Sequence, residues 1–246
     1  MRRSRTMLLG AMIGDLAGSV PVSVLSGSGI ENLFNERSHL TNSSIYMLVT
    51  AERISKNTTH DQVVKLWNNR YPERSISAYG MNNGWIISGV LPCVMKADEK
   101  KVVVHSAKLT AQVLDAGLES TIAAEAAVEA LHMAVKGKDK EEIRMRLEEG
   151  YGYNLDYSIS DIRRMYDARE LRKESCINVC KHALISFLEG KDYLSCIRNA
   201  VMTGGDTASI ATMAGALAAV YYGLPLLMRV KAQRLLPGYR KLLLYQ

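Results

Sequence analysis

The chain has 246 residues, 48% of them hydrophobic and 23% charged, which is long for one domain but within range, gives ample material for one core and excludes a disordered chain. Its formal charge is +6, yet Lys and Arg are interleaved with Asp and Glu along the whole length, so the excess reads as solvated surface. No stripe of aromatic and basic residues accompanies it, which argues against nucleic acid as a partner.

Taken in order, Met7 to Ser19 reads as a helix in which Gly10, Gly14 and Gly18 recur every four residues and share one smooth face. Each glycine costs about 1 kcal/mol in a helix interior relative to alanine, so three in register predict the close approach of another helix. Asp15 beside the stripe reads as a buried, paired carboxylate in preference to a surface one. Arg2, Arg3 and Arg5 read as a frayed terminus. Pro21 to Leu40 is Ser-, Gly- and Asn-rich and predicts a loop. Thr41-Asn42-Ser43-Ser44 then precedes the apolar pattern Ile45, Met47, Leu48, Val49, Ala51 and Ile54. These are helix-start residues, with oxygens able to meet a ligand or simply the backbone.

Gln62 to Asn69 predicts a short helix, Tyr71 to Asn83 a turn-rich connection, and Gly84 to Met95 an apolar helix containing Pro92. Lys101–His105 is the best strand candidate and fits a helix equally well. Helices follow over Leu118 to Val135, Lys138 to Gly150, a short stretch within Tyr151 to Arg169, Ser175 to Gly190, and Asp192 to Met202. No β-branched alternation is long enough for a sheet and the links are short. The fold class is therefore all-α, a compact multi-helix bundle forming a single domain over residues 1–246.

Cys93, Cys176, Cys180 and Cys196 form no C-x-x-C pair and follow no secretory signal, which predicts reduced thiols and a cytoplasmic protein. Cys176 and Cys180 share a helix face and are either half of a metal site or buried structural cysteines; no matched His or Cys pair lies nearby, which favours the second. The uncharged run from Thr207 to Met228 has the length of a membrane span. Its Ala and Gly content, the break at Gly223-Leu224-Pro225 and Asp206 at its mouth predict a buried core helix instead.

That helix opens on Thr203-Gly204-Gly205-Asp206-Thr207-Ala208-Ser209. Two glycines permit a sharp turn, and Asp206 stands at the expected N-cap, beside free N–H groups. It is either a cap alone or a cap that also serves a site.

Several of these stretches together resemble the ADP-ribosylglycohydrolases. The shared residues are Gly10-Ala-x-x-Gly14-Asp15-x-x-Gly18-Ser19, Thr41 to Ser44 ahead of a helix, Gly152-Tyr153-Asn154-Leu155 with Asp161-Ile162-Arg163, Ser175-Cys176, Ala183 to Gly190, and the run Ala200 to Ala211 with Ala214-Gly215-Ala216 and Tyr221 to Pro225. The resemblance implies an all-α fold whose cleft holds two divalent metals, usually magnesium. It implies cleavage of the bond joining ADP-ribose to a protein side chain or related acceptor. Its metal ligands map onto Thr41, Asn42, Ser43, Asp206 and Ser209, and its ligand-binding positions onto Asn83, Gly84, Gly204, Gly205 and Thr207. No catalytic residue is assigned.

The chain departs from the family at those positions. Asn42, Ser43 and Ala208 replace three of the family's four carboxylates and leave Asp206. Two adjacent dications need several carboxylates to offset their repulsion, so a two-magnesium site is not expected. The family's Gly-Asn-Gly-Ser-Ala-Met-Arg run is Asn82 to Ser88 here, its His-Asn-His-Pro-Glu-Gly run falls at Gln112 to Gly117, and Val22 stands for an acidic residue. Two functions are thus implied. One is a catalytically impaired relative that binds an ADP-ribose-like ligand, an ADP-ribosylated protein or another protein. The other is a hydrolase using one metal on Asp206 and Thr41, or none.

Overall fold

In the computed structural model of the chain the described residues are 2–20, 33, 35–59, 61–62, 65, 68–69, 84–114, 117–171 and 175–235. Among them are eleven α-helices, one 3-10 turn and no strand. They are α1 (Arg2–Gly18), α2 (Asn42–Lys56), α3 (Trp85–Val90), the 3-10 turn Leu91–Met95, α4 (Lys100–Leu114), α5 (Leu118–Val135), α6 (Lys140–Tyr151), α7 (Ile159–Asp167), α8 (Cys176–Glu189), α9 (Tyr193–Met202), α10 (Thr207–Tyr222) and α11 (Leu226–Leu235). The all-α expectation holds.

The glycine stripe of α1 lies against α10. A Cβ at Gly14 would overlap the carbonyl of Ala211, one at Gly18 would stand 2.7 Å from the Ala208 Cα, and one at Gly10 would stand 2.7 Å from the Gly215 carbonyl oxygen. Gly215 answers from the other side, since its own Cβ would meet the Gly10 carbonyl oxygen at 2.5 Å. One hydrogen bond pins the seam, from the Thr207 hydroxyl to the Gly18 carbonyl at 2.8 Å, and Tyr193 at the start of α9 donates to the Gly10 carbonyl at 2.8 Å from beside it. α10 is buried without interruption from Ser209 to Ala219, as an apolar helix packed on all sides must be. No described helix is long and apolar enough to cross a membrane.

Helix starts follow the polar signals in the sequence. Asp139 and Asp192 form capping boxes with Glu142 and Ser195, and Ser158 and Ser175 cap α7 and α8 through their hydroxyls. The exposed amphipathic α6 buries only Ile143 and Leu147, and polar bonds reinforce its attachment. Arg146 and Tyr151 both reach the buried carboxylate of Glu129 on α5, at 2.6 and 2.7 Å, where Lys100 joins them at 3.0 Å.

Three expectations change. The helix expected over Gly84 to Met95 is two pieces, because Pro92 has no N–H to continue the ladder and the chain tightens into the 3-10 turn. The strand candidate Lys101–His105 is helical: Val103, Ala107, Thr110, Ala111 and Leu114 are its buried residues, a three-and-four spacing that only a helix turns to one side. The backbone at Arg2, Arg3 and Arg5 is the first turn of α1 and not a frayed end. Most of the loop expected at Pro21 to Leu40, including Val22, lies outside the described residues, as do parts of Gln62 to Asn69, and Asn82 and Asn83.

Candidate functional site

The starts of α2 and α10 open into one cleft of about 840 Å³. Its lining includes Thr41, Asn42 and Ser43 from the first start and Asp206, Ala208 and Ser209 from the second. Two segments more than 160 residues apart in sequence are thus brought face to face, and the Ser43 and Ser209 hydroxyls meet at 2.9 Å. Both serines are buried, whereas Asn42 is exposed at the rim.

Asp206 caps α10 by accepting the Ser209 N–H at 3.1 Å through Oδ1. Gly84 packs beside it: a Cβ there would come within 2.7 Å of Asp206 Oδ2 and 2.5 Å of Val179 Cγ2, so the position has no room for a side chain. Gly204 and Gly205 both sit in the left-handed region, at φ +80° and +69°. Gly205 lies on the ring of Tyr166 and Gly204 beside the stem of Arg163, and Thr207 is spent on the Gly18 carbonyl. None of Gly84, Gly204, Gly205 and Thr207 is in the cleft lining; they shape the turn and the seam behind it. Asn83 lies outside the described residues.

Asp15 underpins the first start. It is fully buried, and its carboxylate accepts the Thr41 hydroxyl at 2.6 Å and the N–H groups of Thr41 at 2.9 Å and Ser44 at 3.2 Å. Thr41 in turn accepts the Ser43 N–H at 3.2 Å, which caps α2. Burial pushes the Asp15 carboxyl up to about 6, against the donors from Ser44 and Thr41 that hold it down. Its folded-state value is thus raised from 3.8, so the folded chain holds this proton more tightly than the unfolded chain does. The stabilisation is fully present below about pH 4 and is lost as pH rises to about 6, on the order of 3 kcal/mol in all. In Asp15→Asn this loss should be missing, whatever the variant's absolute stability. Urea unfolding of both chains at several values between pH 4 and 7 reads it directly, and parallel profiles would show that Asp15 does not titrate there.

The sequence reading did not single out His39, Leu40, Ile45 or Trp85 as cleft residues. Trp85 is the substantial one. It is nearly buried and stacks on Tyr46 with centroids 3.9 Å apart and planes 19° from parallel, giving the cleft a rigid aromatic wall. Its place in the Asn82 to Ser88 stretch, which the family resemblance had matched to a run of the family, was the available signal.

The sequence profile of ADP-ribosylglycohydrolases matches residues 1–236. The chain belongs to the ADP-ribosylglycohydrolase family. Among solved structures it is similar to an ADP-ribosylglycohydrolase-related protein complex, with TM-score 0.68 and 19% identity over 99% of this chain and 96% of that one, a likeness of fold. No protein of the curated set matches it. ADP-ribosylglycohydrolases act on ADP-ribosylated substrates, and the cleft between α2 and α10 is where the family resemblance had placed the metal positions.

Proposed function

We propose that this ADP-ribosylglycohydrolase-family chain is catalytically impaired and binds an ADP-ribose-like ligand, free or carried on a protein, in the cleft between the starts of α2 and α10. The observation that carries the reading is the direct hydrogen bond between the Ser43 and Ser209 hydroxyls. A carboxylate at position 43 in the cleft it shares with Asp206 would be repelled until a cation joined the two, whereas the Ser43 hydroxyl bonds that of Ser209 and needs none. No polar side-chain atom of Thr41, Ser43, Asp206 or Ser209 is among the buried atoms left without a partner.

The donor set does not suit two magnesium ions. Among the described residues Asp206 is the one carboxylate in the lining, and Ala208 has no oxygen on its side chain. No group of three His, Cys, Asp or Glu side chains converges among the described residues. Thr41 gives its hydroxyl proton to Asp15 and one lone pair to Ser43, which leaves a single lone pair for any metal shared with Asp206. What remains favours binding: two helix starts whose partial positive charge suits a diphosphate, and an aromatic wall for a ring. We place the protein in the cytoplasm, in keeping with its four buried free cysteines.

Calorimetry with ADP-ribose, in chelator and then with magnesium, tests the reading. Binding of similar strength in both is expected, together with no release of ADP-ribose from a modified protein. Magnesium-dependent release would replace this reading with an active hydrolase, and no heat under either condition would remove the cleft as a binding site.

A further inference from the structure

About 15 Å along α2 from Ser43, by the rise of a helix, a second groove of about 600 Å³ lies between α2, the end of the 3-10 turn and α4. Val102 and Leu109 form its wall, and Arg53, Lys96, Lys101 and His105 stand around it, with no acidic residue among the described residues of the lining. Three nearby acids are engaged elsewhere, Glu52 by Lys56, Asp98 by Lys136, and Glu129 by Lys100 and Arg146. Glu99 is exposed ahead of α4, in no ion pair among the described residues and outside the lining. Among the described residues none of the four basic groove residues is in an ion pair.

Arg53 is the decisive member. Its side chain is partly buried, and its one fixed bond runs from Nη2 to the neutral Thr110 hydroxyl at 2.7 Å. Thr110 spends its own proton on the Ser106 carbonyl at 2.8 Å, so it is oriented to accept. The Nε of Arg53 is buried with no partner at all. A guanidinium held this way, partly desolvated and without a counter-charge, is costly unless an anion reaches it. The apolar wall adds the second half of the recognition: Val102 and Leu109 are 39% and 49% exposed, and Val113 continues the same face of α4 at 48%.

We propose that this groove binds a small amphiphilic anion, with a phosphate or carboxylate head against Arg53, Lys96 and Lys101 and a hydrocarbon body on Val102 and Leu109. The site is separate from the α2 and α10 cleft and does not depend on what that cleft binds. Two elements of recognition must then act together. A head without a body lacks the apolar contact, and a body without a head leaves Arg53 unpaired.

The test uses octyl phosphate, octanoate, inorganic phosphate and 1-octanol as probes, titrated at low salt by calorimetry. One of the two amphiphiles should bind at least about ten-fold more tightly than both inorganic phosphate and octanol, and the better head identifies the anion class. Lys96→Glu with Lys101→Glu should weaken that binding about ten-fold or more, and Leu109→Asp should do the same from the apolar side. All three side chains are exposed, so the melting temperature should stay near that of the parent. Octanol binding as tightly as the amphiphiles, unchanged binding by the charge-reversed chain, or no binding of any probe would each overturn the proposal.

Discussion

Gly14→Leu should prevent folding or cost well over 3 kcal/mol, beyond the usual range for overpacking. The reason is what the new atoms would strike. A Cβ at this position falls on the Ala211 carbonyl and 3.1 Å from the Thr212 nitrogen, which are backbone atoms of the central helix and have no rotamer to yield. Gly14→Ala is the sharper control. On an exposed helix face it would stabilise by about 1 kcal/mol through helix propensity, whereas here the methyl alone must separate α1 from α10, so the sign reverses. For a chain of this size each kcal/mol lowers the melting temperature by roughly 2–4 °C. Thermal melts of both variants decide it, and a raised or unchanged melting temperature for Gly14→Ala would show that the seam is looser than described.

On the proposed reading, carboxylates placed where the family resemblance implies them should make the cleft strongly magnesium-responsive. Asn42, Ser43, Asp206 and Ala208 all line it, so Asn42→Asp, Ser43→Asp and Ala208→Asp together would put four carboxylates in one place. In chelator the triple variant should be less stable than the parent, through repulsion among like charges and loss of the Ser43 to Ser209 bond. Magnesium at about a hundred times its dissociation constant should then return roughly 2.7 kcal/mol, while the parent's melting temperature stays flat. A triple variant that ignores millimolar magnesium would mean that these four positions do not converge closely enough to share an ion. Activity is a separate matter, since the variant would still lack the residues that the family resemblance implies at Asn82 to Ser88 and at Gln112 to Gly117.

Much of the frame was legible because its signals are local. The Asp and Ser caps lie next to the helices they start, and the four-residue glycine spacing announced a close helix contact without saying with which partner. The facing of Thr41 to Ser43 and Asp206 came through the family resemblance, since nothing local links positions so far apart. What escaped was long-range or balanced between alternatives. The bond from Asp15 to Thr41 spans 26 residues, and no periodicity connects a carboxylate on one helix with the cap of the next. Lys101–His105 satisfied two templates, and only burial of Val103 and Ala107 on one side decided for the helix. Trp85 looked like an ordinary apolar residue until its stacking on Tyr46 placed it at the cleft.

The seam between α1 and α10 also governs the order in which this chain can assemble. Its hydrogen bond from Thr207 to Gly18 joins residues 189 positions apart, so this contact is among the most non-local of the described residues. Closing such a contact costs loop entropy before any packing is gained, which places it late in folding. During translation at about 5–20 residues per second, α1 waits roughly 10–40 s for α10 to be made. Throughout that interval the glycine face of α1 lacks the helix that covers it, although its other side can already pack on α2. Asp15 sits on α1 and Asp206 at the start of α10, so the cleft is among the last parts of the nascent protein to take shape.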